Sequence, residues 1–128
     1  MNIKRVLIVD DNTMIHELFK EYLESQGLKA DIASNGQEGI EKYRECKPDV
    51  VLMDMQMPVM NGYEASKNIK HLDPKAKIYV VTGFPDDPLV VKTLAEGYVQ
   101  TVIPKPCNLT TLFQKLQSTL SPEYTSIK

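Results

Sequence analysis

Three aspartates, a threonine and a lysine stand where short apolar runs stop. Val6-Leu7-Ile8-Val9 ends in Asp10-Asp11, and Val50-Val51-Leu52-Met53 ends in Asp54. Ile78-Tyr79-Val80-Val81 ends in Thr82-Gly83, and Thr101-Val102-Ile103 ends in Pro104-Lys105-Pro106. A single acid after a strand is ordinarily a helix N-cap or a solvated charge. Three on one rim are different, because they repel one another unless a cation joins them. With no His or Cys in the group, Asp10, Asp11 and Asp54 select a hard, oxygen-seeking ion. One or two carboxylates completed by water suit Mg²⁺, whereas Ca²⁺ wants more oxygens, and the chain has no EF-hand spacing. Lys105 adds a compact positive charge that can pair with a phosphoryl group, Thr82 a hydroxyl donor, and Gly83 room beside it. An ionised aspartate in such a setting is a nucleophile able to take a phosphoryl group covalently.

This chemistry needs all five side chains on one edge, which depends on the elements that carry them. None of the four apolar runs alternates polar with apolar, so each reads as a strand buried on both faces, the habit of parallel sheets. Lys29 to Ala33 is a weaker strand, with Ala30 and Ile32 on one face, and suits an edge. Helical spacing fills the gaps. Met14 to Gln26 carries Ile15, Leu18, Phe19, Tyr22 and Leu23 on a stripe and stops at Gly27. Gln37 to Glu45 is a shorter helix entered through Asn35-Gly36 and ended before Pro48. Tyr63 to Leu72 has Ile69 and Leu72 as anchors and Asp73-Pro74 as its end. Asp87-Pro88 starts a helix that runs to Gly97, and Asn108 opens a last one with Leu109, Leu112, Phe113, Leu116 and Leu120. The order βαβαβαβαβα predicts an α/β fold: a parallel sheet covered on both faces, with right-handed crossovers. Ligands of such sheets sit outside the carboxyl ends of the strands, where the five side chains would gather.

Composition narrows the class further. The 128 residues suit one domain with one core, and 42% hydrophobic with 25% charged is ordinary for a globular chain. A net charge of −2 lacks the basic footprint of a nucleic-acid binder. No apolar run approaches the roughly 20 residues of a membrane span, and Met1 to Arg5 is unlike a signal peptide. Cys46 and Cys107 are too few and too far apart for a disulfide framework or a zinc site, and read as buried thiols. His16 and His71 lack ligand spacing and read as surface or cap residues. The expected setting is a small soluble domain in the cytoplasm.

Asp10-Asp11 after Val6-Leu7-Ile8-Val9, the stretch Met53-Asp54-Met55-Gln56-Met57-Pro58-Val59-Met60-Asn61-Gly62, then Thr82-Gly83 and Lys105-Pro106, together resemble the receiver domain of two-component response regulators. The spacings fit, 43 residues from Asp11 to Asp54 and 28 from Asp54 to Thr82, and the likeness covers roughly residues 4–120. The resemblance implies a flavodoxin-like, doubly wound (βα)5 fold with five parallel strands in the order 2-1-3-4-5 and five flanking helices. It implies a receiver over residues 1–121 and a short frayed tail over 122–128. Asp54 would be the phosphorylation site. Asp11 would ligate Mg²⁺ directly, Asp10 largely through water, and Gln56 through its backbone carbonyl. Lys105 would bind the phosphoryl oxygens, and Thr82 would hydrogen-bond the group and draw its loop inward. Pro106 would follow a cis peptide that aims Lys105, while Pro58 and Gly62 would serve as turn residues. The donor would be the phosphohistidine of a sensor histidine kinase or a histidine phosphotransfer protein. The phosphorylated form would dock a downstream protein through Pro88 to Leu120 or pair as a dimer, with no direct contact to nucleic acid or membrane. As an enzyme it would catalyse only its own phosphorylation and dephosphorylation.

The sequence departs from that family at the usual coupling aromatic, three places before the lysine, where Val102 stands. The segment from Gly97 to Lys105 is one residue longer than usual, so Thr101 is the alternative occupant, and Tyr98 is the nearest aromatic. Gln56 and Phe84, two places past Asp54 and Thr82, would tune how fast the acyl phosphate hydrolyses. A haloacid-dehalogenase-type, Mg²⁺-dependent aspartyl-phosphate phosphatase also uses a nucleophilic Asp, but wants a second Asp two residues on, where Gln56 sits. A flavodoxin-like nucleotide module would want a Gly- or hydroxyl-rich loop after the first strand, where Asp10-Asp11 would repel a phosphate. A degenerate receiver is disfavoured because all five site residues are present. Eight residues after Leu120 hold no output domain. The expectation is therefore a stand-alone switch, or a receiver cut from a larger transcriptional regulator or hybrid kinase.

Overall fold

The computed structural model describes residues 4–105 and 109–120. Its strands are β1 (Arg5–Val9), β2 (Lys29–Ala33), β3 (Val50–Met53), β4 (Ile78–Thr82) and β5 (Thr101–Pro104). They alternate with α1 (Thr13–Ser25), α2 (Gly36–Cys46), α3 (Gly62–Leu72), α4 (Pro88–Ala95) and α5 (Leu109–Leu120). All strand pairs are parallel, in the order β2-β1-β3-β4-β5, so the strand order reverses at β1. The weak run Lys29–Ala33 lies on an edge as its polarity predicts, while β1, β3 and β4 are buried along nearly their whole length.

The continuous apolar runs serve two cores at once, because successive strand residues point to opposite faces. Leu7, Val9, Val51, Met53, Ile78 and Val80 join one cluster with Ile40, Tyr43, Ala65, Ile69 and Val90, which come from α2, α3 and α4. Val6, Ile8, Val50, Leu52, Tyr79 and Val81 join the other with Phe19, Leu23, Leu112 and Leu116, from α1 and α5. The first four helices open at the carboxyl ends of the strands, each on a side-chain cap. Asn12, Asn35 and Asn61 accept from backbone N–H groups of α1, α2 and α3, and Asp87 accepts from Leu89 N with Pro88 in the first turn.

Several local expectations shift. The buried face of α1 is His16, Phe19 and Leu23, and Leu18 is 53% exposed. The stripe is rotated by one residue because positions 16, 19 and 23 share a face of a 3.6-residue helix. His16 is therefore a core residue and not a surface or cap one. On α3, Ile69 is fully buried but Leu72 is exposed in the last turn, where the chain turns away from the sheet. The fourth helix stops at Ala95 rather than Gly97, and Gly97 turns the chain at φ +81°. Gly27, at φ +87°, ends α1 as predicted. Cys46 is half-buried beside Asp31, not enclosed. His71 is exposed. The Asn108 cap, the Lys105–Pro106 peptide, Cys107 and the boundary at 121–122 lie outside the described residues. Among those described, no helix is long and apolar enough to cross a membrane.

Candidate functional site

The sheet ladder itself brings the acids together. Val9 pairs with Ala33 on one side and with Met53 on the other. One residue on, the ladder still holds: Asp10 N donates to Ala33 O at 3.0 Å, and Asp54 N donates to Val9 O at 2.9 Å. Asp10 and Asp54 are thus neighbours across adjacent strand ends at the reversal of strand order, and Asp11 follows at once. Oxygens of Asp10, Asp11 and Asp54 all lie within 4.8 Å of one another. Asp10 is 4% exposed, Asp54 half-buried and Asp11 exposed.

Lys105 reaches this group from β5. Its ammonium lies 3.2 Å from Asp10 Oδ2, and its backbone N–H donates to Thr82 O at 2.7 Å. Asp10 Oδ1 accepts from Asn12 N at 2.9 Å, so both oxygens of that buried carboxylate have a donor. Asp54 has weaker support, a 3.5 Å contact from Gln56 N to Oδ1. Burial and the neighbouring Asp10 carboxylate push the Asp54 carboxyl above the usual carboxylate range. Lys105 and the Gln56 N–H pull against that shift, and Asp11 adds to it. Among the described residues one lysine faces three carboxylates, which leaves a surplus of negative charge and oxygen-only donors in a space of ion size. That donor set fits a small divalent cation such as Mg²⁺ and offers nothing to a thiophilic metal.

The loops around the group are shaped by close backbone contact. A Cβ on Gly62 would come within 2.3 Å of Asp54 O and 2.8 Å of Met55 Cα. Gly62 therefore does more than turn chemistry: it lets the start of α3 press against the peptide that carries Asp54. In the same loop Val59, 82% exposed, sits at φ +70°, where a β-branched residue is strained. Thr82 is buried, and its hydroxyl oxygen accepts from Phe84 N at 3.0 Å. A Cβ at Gly83 would meet no atom within 4 Å, so this loop has open space beside it. Phe84 is 63% exposed and Gln56 is exposed, so neither covers the acids.

The expected site residues Asp10, Asp11, Asp54 and Lys105 form one group, with Thr82 tied to Lys105 through the backbone. Val102 and Thr101 are only partly buried on β5, and Val102 packs against the core under α3 and α4. Sequence reasoning misses two features. His16 contacts the backbone carbonyl of Asp10 through Nε2. Tyr98 packs edge-on against Tyr63 at 5.9 Å, while Tyr63 Oη donates to Glu96 at 2.7 Å and Lys92 lies 4.8 Å over the Tyr63 ring. That second cluster ties α3 to the turn after α4. Its members come from three elements, so spacing along the chain holds no trace of it.

Comparison with known proteins agrees with this geometry. The family model described as the response regulator receiver domain matches residues 6–117. The chemotaxis protein CheY of Thermotoga maritima is 43% identical over 95 residues, 73% of this chain and 79% of that protein. The crystal structure of a CheY-like response regulator receiver domain protein from Methanospirillum hungatei superposes with a TM-score of 0.87 at 32% identity, covering 98% of this chain and 99% of that one. The CheX–CheY–BeF3–Mg²⁺ complex from Borrelia burgdorferi gives a TM-score of 0.84 at 29% identity, covering 92% and 90%.

Proposed function

The chain belongs to the response regulator receiver domain family and is a signalling module of two-component phosphorelays, and on that premise we propose that Asp54 is its phosphoryl acceptor. The observation that carries the reading is the convergence of Asp10, Asp11 and Asp54 within 4.8 Å, with a single lysine beside them. A carboxylate oxygen of Asp54 attacks the phosphorus of a phosphohistidine. An O–P bond forms as the N–P bond breaks, and the departing imidazole nitrogen keeps the electron pair and then takes up a proton. Asp54 supplies the nucleophile from the only half-buried position among the three acids, open enough for the donor to approach in line. Lys105 turns from Asp10 to the transferred oxygens, and the Thr82 hydroxyl, whose oxygen accepts from Phe84 N, still has its O–H to donate to them. Asp10, Asp11, Asp54 and the Gln56 backbone carbonyl would hold Mg²⁺, which would neutralise charge on the transferring oxygens. Hydrolysis completes the cycle: water attacks the phosphorus, the Asp54 O–P bond breaks, the carboxylate is regenerated and inorganic phosphate leaves. Gln56 and Phe84, exposed beside the site, set how water enters.

Donor and target are proteins in the cytoplasm: a histidine kinase or phosphotransfer protein for the donor, and a docking partner for the output. Support for a protein target comes from the CheX complex of the Borrelia relative. The docking face is Pro88 to Leu120, where Val91 and Leu94 of α4 are exposed apolar side chains. The receiver extends over residues 1–121. Wild type incubated with a small-molecule phosphodonor and MgCl2 acquires an acid-labile label, and Asp54→Asn does not. Undiminished labelling of Asp54→Asn contradicts the assignment.

A further inference from the structure

Asp10 is gripped through every polar atom it has, and the grip on its backbone carbonyl comes from a side chain with no part in the proposed transfer. Its N–H goes to Ala33 O, Oδ1 to Asn12 N, Oδ2 to Lys105, and its backbone carbonyl to His16 Nε2. His16 stands one turn into α1, 6% exposed, on the same buried face as Phe19 and Leu23. An imidazole on an apolar face is costly unless its polar atoms are paired. A carbonyl oxygen can only accept, so this contact is a hydrogen bond when Nε2 carries a proton.

We propose that His16 is a positioning residue: by holding the Asp10 carbonyl it fixes the Asp10–Asp11 peptide and aims both carboxylates at one divalent cation. The carbonyl of Asp10 and the N–H and Cα of Asp11 lie in one rigid plane. Pinning the oxygen sets the tilt of that plane, and the tilt sets the direction in which Asp11 leaves the backbone. Asp11 needs this more than its neighbours do. Asp10 is fixed by donors to both of its carboxylate oxygens, whereas Asp11 is exposed and no hydrogen bond among the described residues holds its carboxylate. Groups that orient metal ligands from behind typically carry ~10–100-fold of metal affinity.

This inference rests on the metal reading of the three acids, and the test separates the two. Binding of MgCl2 is titrated in wild type, in His16→Leu, which keeps bulk without a donor, and in His16→Gln, which keeps a side-chain N–H of similar reach. The expected result is a Kd raised about tenfold in His16→Leu and held within about threefold of wild type in His16→Gln. Equal affinity in folded His16→Leu and wild type overturns the positioning role, and so does equal loss in both variants. A wild type that does not bind MgCl2 overturns the metal reading itself. Should His16→Leu fail to fold, nitrogen-15 NMR of wild type decides: a proton on Nε2 with slow solvent exchange upholds the contact to Asp10, and a neutral ring protonated on Nδ1 overturns it.

Discussion

Aspartates at the rim and aspartates elsewhere in this molecule are treated in opposite ways. Away from the rim Asp31, Asp49 and Asp73 have donors of their own. Asp31 accepts from Arg5 Nε at 2.7 Å, Asp49 from the N–H groups of Lys4 and Arg5 at 2.7 and 2.9 Å, and Asp73 from Tyr43 Oη at 2.8 Å and Lys75 N at 3.0 Å. At the rim three carboxylates crowd together with Lys105 paired to Asp10, and Asp54 and Asp11 have no side-chain donor among the described residues. The carboxyl groups report the difference. Arg5 holds Asp31 below its ordinary range and Tyr43 does the same for Asp73, whereas burial and Asp10 push Asp54 above it. Asp31 and Asp73 are satisfied within the chain, whereas Asp54 and Asp11 are left short of partners at the rim.

Glycines divide in the same way, and the largest expected effect comes from testing them. At Gly62 the missing Cβ would overlap Asp54 O and Met55, both backbone or tightly packed, so Gly62→Ala should cost about 3 kcal/mol. At Gly27, on the far end of α1, no atom lies within 4 Å and only the φ of +87° objects. Gly27→Ala should therefore cost about 1 kcal/mol. Urea denaturation compares them, and equal costs would remove the claim that the acceptor loop is built on close backbone contact.

The charge contrast can be broken by pH. Without metal, Asp54→Asn should raise stability at pH 7 by about 1 kcal/mol, by relieving a partly buried like-charge contact. Asp31→Asn should lower it by about 0.5–1 kcal/mol, the range of a solvent-screened pair. The signs then diverge on acidification. A raised carboxyl makes its cost in full above its folded value and loses it as pH falls through that value, so the advantage of Asp54→Asn fades first. A lowered carboxyl contributes in full above the unfolded value, and its contribution disappears as pH falls from there to the folded value, so the deficit of Asp31→Asn closes only at lower pH. Stability curves that shift together would contradict the contrast. The smallest effect belongs to Val59, strained at φ +70° with its side chain in solvent. Asparagine tolerates that conformation better, and Val59→Asn should gain about 0.5 kcal/mol in thermal melts.

Much of the fold was legible in the sequence because buried parallel strands are written as unbroken apolar runs. Val50–Met53 is bounded as read, and the edge position of Lys29–Ala33 follows from its polarity. The rim was legible for the same reason, since an acid directly after such a run must emerge at its carboxyl end. Helix faces were less so. Leu18 and Leu72 have the right type and nearly the right spacing, but a one-residue rotation or a departing chain end leaves them in water. His16 was missed because its partner is a backbone carbonyl, which no residue type announces. The Tyr63–Tyr98 contact joins positions 35 residues apart whose meeting depends on how α3 and α4 pack.

Trapping the acyl phosphate tests the assignment of the acceptor most directly. Wild type is incubated with a small-molecule phosphodonor and MgCl2, reduced with borohydride so that a phosphorylated aspartate becomes homoserine, and sequenced by tandem mass spectrometry. The expected result is homoserine at position 54 alone. Homoserine at Asp10, Asp11 or any other aspartate, or none in protein that demonstrably binds Mg²⁺, would contradict Asp54 as the phosphoryl acceptor.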